Sequence, residues 1–347
     1  MAYHAELINR FLSWSAERAV EWYKTIITPF GCNFVTSSAC NSTQMWQESD
    51  FDRELNRKEM RLAAAAGYNC LRIFLPYVVY RKEKQRFLAR FDGFLSDADA
   101  YGLKCVPVLF DDCGAAPVYG KQEDVRPFIH NGCWTACPGA SDADDLETYD
   151  KLKEYIQAAV GGFAHDKRVL FWDIFNEAGN SGRGSKSIFL LEKAFEWARE
   201  MKPAQPLTAG AWALDYIADA DVHKTDLKAL ELSDIVTFHL YTDGEKLSKV
   251  LERYSETGYP VVCTEWMARH FNSLFKDCLP VFKRFGAGCI NWGLVNGATQ
   301  THFPWGWDSS KGEPEIWFHD VYKKDGIPYN TEEMTMMREY GAQLKKK

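Results

Sequence analysis

The sequence predicts an α/β fold, a single (β/α)₈ TIM barrel that takes up the whole chain, 1–347. Three observations point there. Eight short runs, apolar on both faces, recur between residues 30 and 293, as buried parallel strands should read. Helical stretches alternate with them, which makes successive βαβ units. The 347 residues exceed the ~250 typical of one such barrel, and no repeat, linker or low-complexity segment divides them.

In chain order, the strand runs are 30–35 (FGCNFV), 70–75 (CLRIFL), 104–110 (KCVPVLF), 170–175 (LFWDIF), 207–210 (LTAG), 235–240 (IVTFHL), 261–264 (VVCT) and 288–293 (GCINWG). Helices are expected over 50–66, 89–101, 145–165, 187–201, 245–257 and 272–285, with a weaker one over 224–232. The helix at 50–66 opens on Asp50 and stops before Gly67, the usual start and stop signals. Residues 1–29 read as a helical extension, with 1–24 packed beneath or beside the barrel, and 318–347 as a C-terminal segment. Two long loops, 111–144 and 294–317, follow the third and eighth strands. Long loops in a compact domain are usually functional, and these fall on the C-terminal face, where barrel active sites form.

Composition narrows the function. The chain is 46% hydrophobic and 26% charged, with a net charge of −7, which argues against a nucleic-acid partner. Lys345, Lys346 and Lys347 read as a solvated tail. No apolar run is long enough to span a membrane. Residues 1–15 carry Glu6 and Arg10 and lack the pattern of a signal peptide. The expectation is a cytoplasmic protein, or a secreted or periplasmic one whose signal has been removed. The 12 tryptophans suit a site lined with aromatics, such as one that stacks sugar rings. Of the 10 cysteines, Cys70, Cys105, Cys263 and Cys289 lie in or beside strand runs, as small hydrophobes do. Cys113, Cys133 and Cys137 share one loop, but the Cys133–Cys137 spacing has no second pair to complete a metal site. Neither metal nor cofactor is expected, and the thiols favour a reduced compartment. Oligomeric state is not legible.

Two acids close strand runs. Glu177 follows the fourth run in WDIFNEAGN, and Glu265 the seventh in VVCTEWMAR. Carboxylates facing one another across a barrel mouth are what glycoside hydrolysis requires; a strand-end Glu can also pair with a barrel cation or cap the next helix. Asn176 precedes Glu177 and can reach a sugar hydroxyl or orient the nucleophile. His239 and Tyr241, two apart, point to the same side of an extended chain and can hydrogen-bond both acids. Arg72 sits inside an apolar run, where a charge needs a partner; Glu265 would be that partner and would stay ionised. Trp292 either floors the sugar subsite or packs the core. Asp111 and Asp112 either bind sugar hydroxyls or cap a loop. Trp46 and Gln44 after the first strand, and Asn296, Gln300, Trp305 and Trp307 after the eighth, either wall a subsite or pack their loops.

These motifs resemble clan A of the glycoside hydrolases, most closely the cellulase-type family 5. The resemblance rests on Arg72, Asn176-Glu177, His239-Leu240-Tyr241, Glu265 and Trp292, in strand order, over residues 30–317. Stretches such as HNGCWTACPG and INWGLVNGATQT also resemble bacterial proteins labelled cellulase or xylanase. The resemblance implies a retaining β-glycosidase, with Glu265 as nucleophile and Glu177 as acid/base, acting on β-linked oligo- or polysaccharide. One feature departs from the family: a His is usual at the end of the third strand, where this chain has Phe110-Asp111-Asp112, with His130 as the nearest substitute. The expected mechanism keeps Glu177 protonated through apolar neighbours and the charge of Glu265, with the carboxyls about 5–5.5 Å apart. The alternatives are a non-catalytic carbohydrate-binding barrel and a transglycosylase. A phosphate-binding isomerase or aldolase is disfavoured, because no strand run ends in Lys.

Overall fold

The computed structural model describes residues 13–215 and 217–345. Eight parallel strands carry it: β1 (Phe30–Asn33), β2 (Cys70–Phe74), β3 (Lys104–Asp111), β4 (Trp172–Asn176), β5 (Leu207–Thr208), β6 (Val236–His239), β7 (Val261–Glu265) and β8 (Gly288–Asn291). They lie in the order β5-β4-β3-β2-β1-β8-β7-β6. The β5–β6 seam closes the barrel. His239 N donates to Ala211 O at 2.9 Å, and the Thr208 and Thr237 hydroxyls meet at 2.7 Å. β5 covers two residues of its run, and beyond it Asp226 accepts N–H groups from Trp212, Ala213 and Leu214 at 3.1, 2.7 and 3.0 Å.

Eleven helices are described: α1 (Ala16–Lys24), α2 (Ser42–Trp46), α3 (Arg53–Ala65), α4 (Tyr77–Ala100), α5 (Ala140–Asp144), α6 (Tyr149–Gly162), α7 (Ile188–Glu200), α8 (Ala220–Leu232), α9 (Gly244–Ser255), α10 (Phe275–Phe285) and α11 (Thr331–Leu344). Of the expected N-terminal helix, α1 is present; residues 1–12 lie outside the described residues. Trp22 and Tyr23 of α1 pack under the floor formed by Cys70, Val106, Phe171, Val262 and Ile290. α4 begins well before the expected 89. The charged run 81–86 (RKEKQR) masks its periodicity, and Lys84, at φ +28°, joins two helical pieces. The weak helix at 224–232 proves to be α8, thirteen residues long and capped by Asp219. No helix among the described residues is long and apolar enough to cross a membrane.

β7 carries an extra residue near its end, and the chain entering β4 carries another. Cys105 lies opposite Val169 and Val108 opposite Asp173, so the chain entering β4 gains one residue on β3 in that interval. The irregularity faces Pro107, which has no N–H for the ladder. In β7, Phe238 pairs with Cys263 and His239 with Glu265, so Thr264 is the residue in excess. Asn33 of β1 donates its amide to the Thr264 carbonyl at 2.9 Å. Bulges of this kind re-aim side chains, and the one in β7 directly precedes Glu265.

Candidate active site

Arg72 organises the barrel mouth from below. It is fully buried, and its guanidinium makes five hydrogen bonds. Nε and Nη2 reach Asp173 Oδ2 at 2.9 and 2.8 Å. Nη1 reaches Asn33 Oδ1 at 2.7 Å and Glu265 Oε1 at 2.8 Å, and Nη2 reaches Asn176 Oδ1 at 2.6 Å. A guanidinium has five donors, so every one is engaged. The expected Arg72–Glu265 pair is present, and the sequence reading missed Asp173 and Asn33.

Glu265 is held on both oxygens: Arg72 holds Oε1, and the Tyr241 hydroxyl donates to Oε2 at 2.8 Å. His239 Nδ1 lies 2.8 Å from Glu177 Oε1 and 3.7 Å from Glu265 Oε2. Ligand-capable atoms of Glu177, His239 and Glu265 all fall within 4.8 Å of one another. The same three groups form the one cluster of the described residues that could hold a cation. Arg72 beside it weighs against a resident metal.

Glu177 follows β4 on a turn with φ +43°, a left-handed conformation that is costly for a side-chain residue and typical of functional sites. Asn180 N closes the turn onto Glu177 O at 2.9 Å. Asp112 anchors it from outside, accepting Gly179 N at 2.7 Å and the Ser187 hydroxyl at 2.5 Å. The Glu177 Oε2 accepts from Asn180 Nδ2 at 2.5 Å and from the Cys113 thiol at 3.1 Å.

The electrostatics reverse one expectation. Burial pushes Glu177 up, but the His239 hydrogen bond and charge, with Cys113 and Asn180, bring it below its ordinary value. Burial raises Glu265; His239 and Arg72 oppose the rise, the Glu177 charge adds to it, and the result lies above the ordinary value. His239 is lowered by burial but lifted further by the two carboxylates, and ends above its usual range. The reason is geometric. The imidazole lies closer to Glu177 than to Glu265, and Arg72 divides its charge between Glu265 and Asp173. Both shifts favour His239 as the donor in its contact with Glu177.

The cleft above these groups has a volume of about 420 Å³ and includes Asn176, Trp134, Trp212, Tyr241, Trp292 and Trp305 in its lining. Trp292 and Trp305 lie where expected, Trp305 being 47% exposed. His130 and His319 also line it. His130 Nδ1 bonds to Phe303 O at 2.8 Å, and burial depresses His130 to about 4. Trp212 and His319 were missed as site residues: Trp212 has no motif around it, and His319 lies in PEIWFHDVY, a stretch that carried the resemblance without pointing to a role. A larger cavity, about 560 Å³, opens at the opposite end beside Trp22, Asn69 and Lys104. Its one acid, Asp166, is taken by Arg168.

Of the expected sugar contacts, Arg72 and His239 lie beneath the cleft lining, Gln44, Asn296 and Trp307 are not part of it, and Asp111, Asp112, Trp46 and Gln300 are engaged elsewhere. Asp111 is buried and accepts from Asn176 Nδ2 at 2.9 Å and Trp134 Nε1 at 2.8 Å, so it orients cleft residues instead of binding sugar; burial pushes it up to about 7. Asp112 is occupied by the Glu177 turn. Trp46 is 0% exposed, among Phe51, Phe87, Phe91 and Phe94, because α2 folds it inward. Gln300 staples two loops: its Oε1 accepts Phe128 N at 2.9 Å, and its Nε2 donates to Arg126 O at 2.7 Å and Ile129 O at 3.1 Å.

Known proteins bear on this site. The family description for cellulase (glycosyl hydrolase family 5) matches residues 30–298. No curated protein matches the chain in sequence. Among solved structures, an exo-β-1,4-mannosidase, Op5Man5, from Opitutaceae bacterium strain TAV5 superposes with a TM-score of 0.64 at 15% identity. That match covers 92% of this chain and 60% of the mannosidase, so this chain spans well under two thirds of that protein. The endo-1,4-β-D-mannanase from Thermotoga petrophila RKU-1 gives a TM-score of 0.57 at 15% identity, covering 91% of this chain and 99% of its own. GH5_18 from Streptomyces cattleya, in complex with GlcNAc, gives 0.63 at 13% identity, with 92% and 80% covered. At these identities the superpositions speak for the barrel alone. The family match spans most of the chain and all eight strands, with a carboxylate closing β7 and another one residue beyond β4, and on that ground the chain belongs to glycosyl hydrolase family 5.

Proposed function

We propose that Glu265 attacks the anomeric carbon, that Glu177 acts as acid and then base, and that the enzyme releases sugars from the ends of short β-linked chains. One observation carries the retaining mechanism: one oxygen of each carboxylate and a ring nitrogen of His239 all lie within 4.8 Å of one another. That is close to the ~5–5.5 Å of retaining pairs and far below the ~6.5–9.5 Å that an inverting pair needs to admit water. Glu265, gripped by Arg72 and Tyr241, is aimed as a nucleophile should be. Glu177 shares a 2.8 Å hydrogen bond with His239. Passage of the His239 proton along that bond makes Glu177 the acid that protonates the departing oxygen. The resulting carboxylate then takes a proton from the water that releases the glycosyl–enzyme ester.

The loops support action at chain ends. Gln300, the Asn131 N–H on Thr299 O (2.8 Å) and His130 on Phe303 O tie the loop after β3 to the loop after β8. The tie puts a wall beside a cleft of about 420 Å³, toward the small end of the ~300–1,000 Å³ usual for ligand sites.

Glu265→Ala should abolish hydrolysis of aryl β-glycosides, with azide restoring it as the inverted glycosyl azide. Glu177→Ala should keep activity on good leaving groups, with azide giving the retained product. Wild-type rates in either variant overturn the roles. A panel of nitrophenyl glucosides, mannosides, xylosides and galactosides, with product sizing on polymers, tests the rest; mannosides are included because Op5Man5 is an exo-mannosidase by name. Release of mixed internal fragments overturns the chain-end reading. The pH profile follows from signs: Glu265 must lose its proton, so its raised value moves the acid limb up, and the Glu177–His239 pair must keep one, so the raised His239 moves the alkaline limb up.

A further inference from the structure

We infer that Cys113 is a positioning residue for the acid/base step, its thiol donating to Glu177 Oε2 and setting how readily that carboxylate takes a proton. The inference rests on the assignment of Glu177 as acid/base. Of the ten cysteines, all among the described residues, nine are buried and Cys113 alone is partly open, in the cleft lining. Its Sγ lies 3.1 Å from Glu177 Oε2 and 3.6 Å from Asn176 Nδ2. Its backbone N–H donates to Asp111 Oδ1 at 2.8 Å, which fixes the loop so that the thiol meets the carboxylate.

The thiol stays protonated. Burial raises it well above its ordinary range, and the charges of Glu177, Asp111 and Glu265 raise it further. It is therefore a donor here, not a nucleophile. Three donors converge on Glu177: His239 on Oε1, and Asn180 and Cys113 on Oε2. The thiol is the weakest of them. A carboxyl that must be acid in one step and base in the next gains from a weak donor, because a strong one would hold it as the anion. The charged and titratable groups facing Glu177 are His239 from β6, Glu265 from β7, Asp111 from β3, Asp226 from α8 and, through Glu265 and Asn176, Arg72 from β2. None of these changes when Cys113 is replaced, so a shift in the profile reads the thiol.

The experiment is the pH dependence of kcat/KM for wild type, Cys113→Ala and Cys113→Ser, with thermal melts to confirm folding. Loss of the donor in Cys113→Ala should move the alkaline limb to higher pH. A stronger hydroxyl donor in Cys113→Ser should move it to lower pH. Each shift should be roughly threefold or more in the acid dissociation constant. A thiol that merely fills space would lower rates and leave the limb in place, and limbs unmoved, or moved in the same direction, overturn the inference. Glu177→Ala run alongside keeps the two readings apart. If it loses the alkaline limb while the Cys113 variants retain it unchanged, only the Cys113 inference falls. If it retains the wild-type limb, the acid/base assignment falls, and this inference with it.

Discussion

Glu265 is the last residue of β7, paired in register with His239 and bonded on both oxygens by Arg72 and Tyr241. Glu177 lies one residue beyond β4, on a left-handed turn, with donors arriving from β6, from its own turn and from the loop after β3. The two acids are chemically identical, and the backbone separates their roles. A group that forms a bond to carbon needs a fixed direction, which a strand and a buried guanidinium supply. A group that exchanges protons needs a tunable set of hydrogen bonds, which a turn and converging loops supply.

Breaking the strand side should have the larger effect. Arg72→Met leaves Asp173 and Glu265 as buried acids without their cation. Loss of one partner from a buried pair costs about 3–5 kcal/mol, so chemical denaturation should show a loss of that order. kcat should fall by about a hundredfold or more, as when one preorganised donor is removed. A stable, active Arg72→Met enzyme would show that Glu265 does not depend on its cation. The turn side should respond more selectively. Asp112→Ala frees Gly179 N and Ser187, with an expected cost of about 1–3 kcal/mol. Its rate should fall more for poor leaving groups than for dinitrophenolate, because only the former need the acid; an equal fall for both would mean that the anchor does not act through Glu177. The smallest effect belongs to Gln300→Gly. Glycine suits the φ of +56° at this position, so the change removes three loop hydrogen bonds without adding strain. Stability should change by about 1–2 kcal/mol, KM for short substrates should rise several-fold, and polymer digests should begin to show internal cuts. An unchanged product ladder would mean that the staple does not wall the cleft.

The strands were legible because buried parallel strands read as short apolar runs, and all eight runs became strands. The strand-end acids, Arg72 and the His239–Tyr241 pair were legible for the same reason: a polar group inside or closing such a run stands out. Asp173 gave the same signal, an acid within LFWDIF, but an acid inside a run does not reveal that its partner is the Arg72 of another strand. Asn33 gave less, since an amide in a strand has many bland explanations. The loop residues were not legible. Nothing local distinguishes Trp46, folded into the core, from Trp305, standing in the cleft, or tells Gln300 the staple from Gln300 the sugar contact. His319 and Trp212 reach the mouth through tertiary packing, which one-dimensional patterns do not encode. The direction of the carboxyl shifts also depended on a contact difference, 2.8 Å against 3.7 Å from His239, that only coordinates supply.

The surplus residue in β7 has a consequence for anyone redesigning this scaffold. If the ladder ran on evenly from the Phe238–Cys263 pair, Thr264 would stand opposite His239 and Glu265 would be carried on to Leu240. A regularised version could keep every side chain of the site in its sequence and still be inert, because the irregularity itself is what brings the acid level with its histidine.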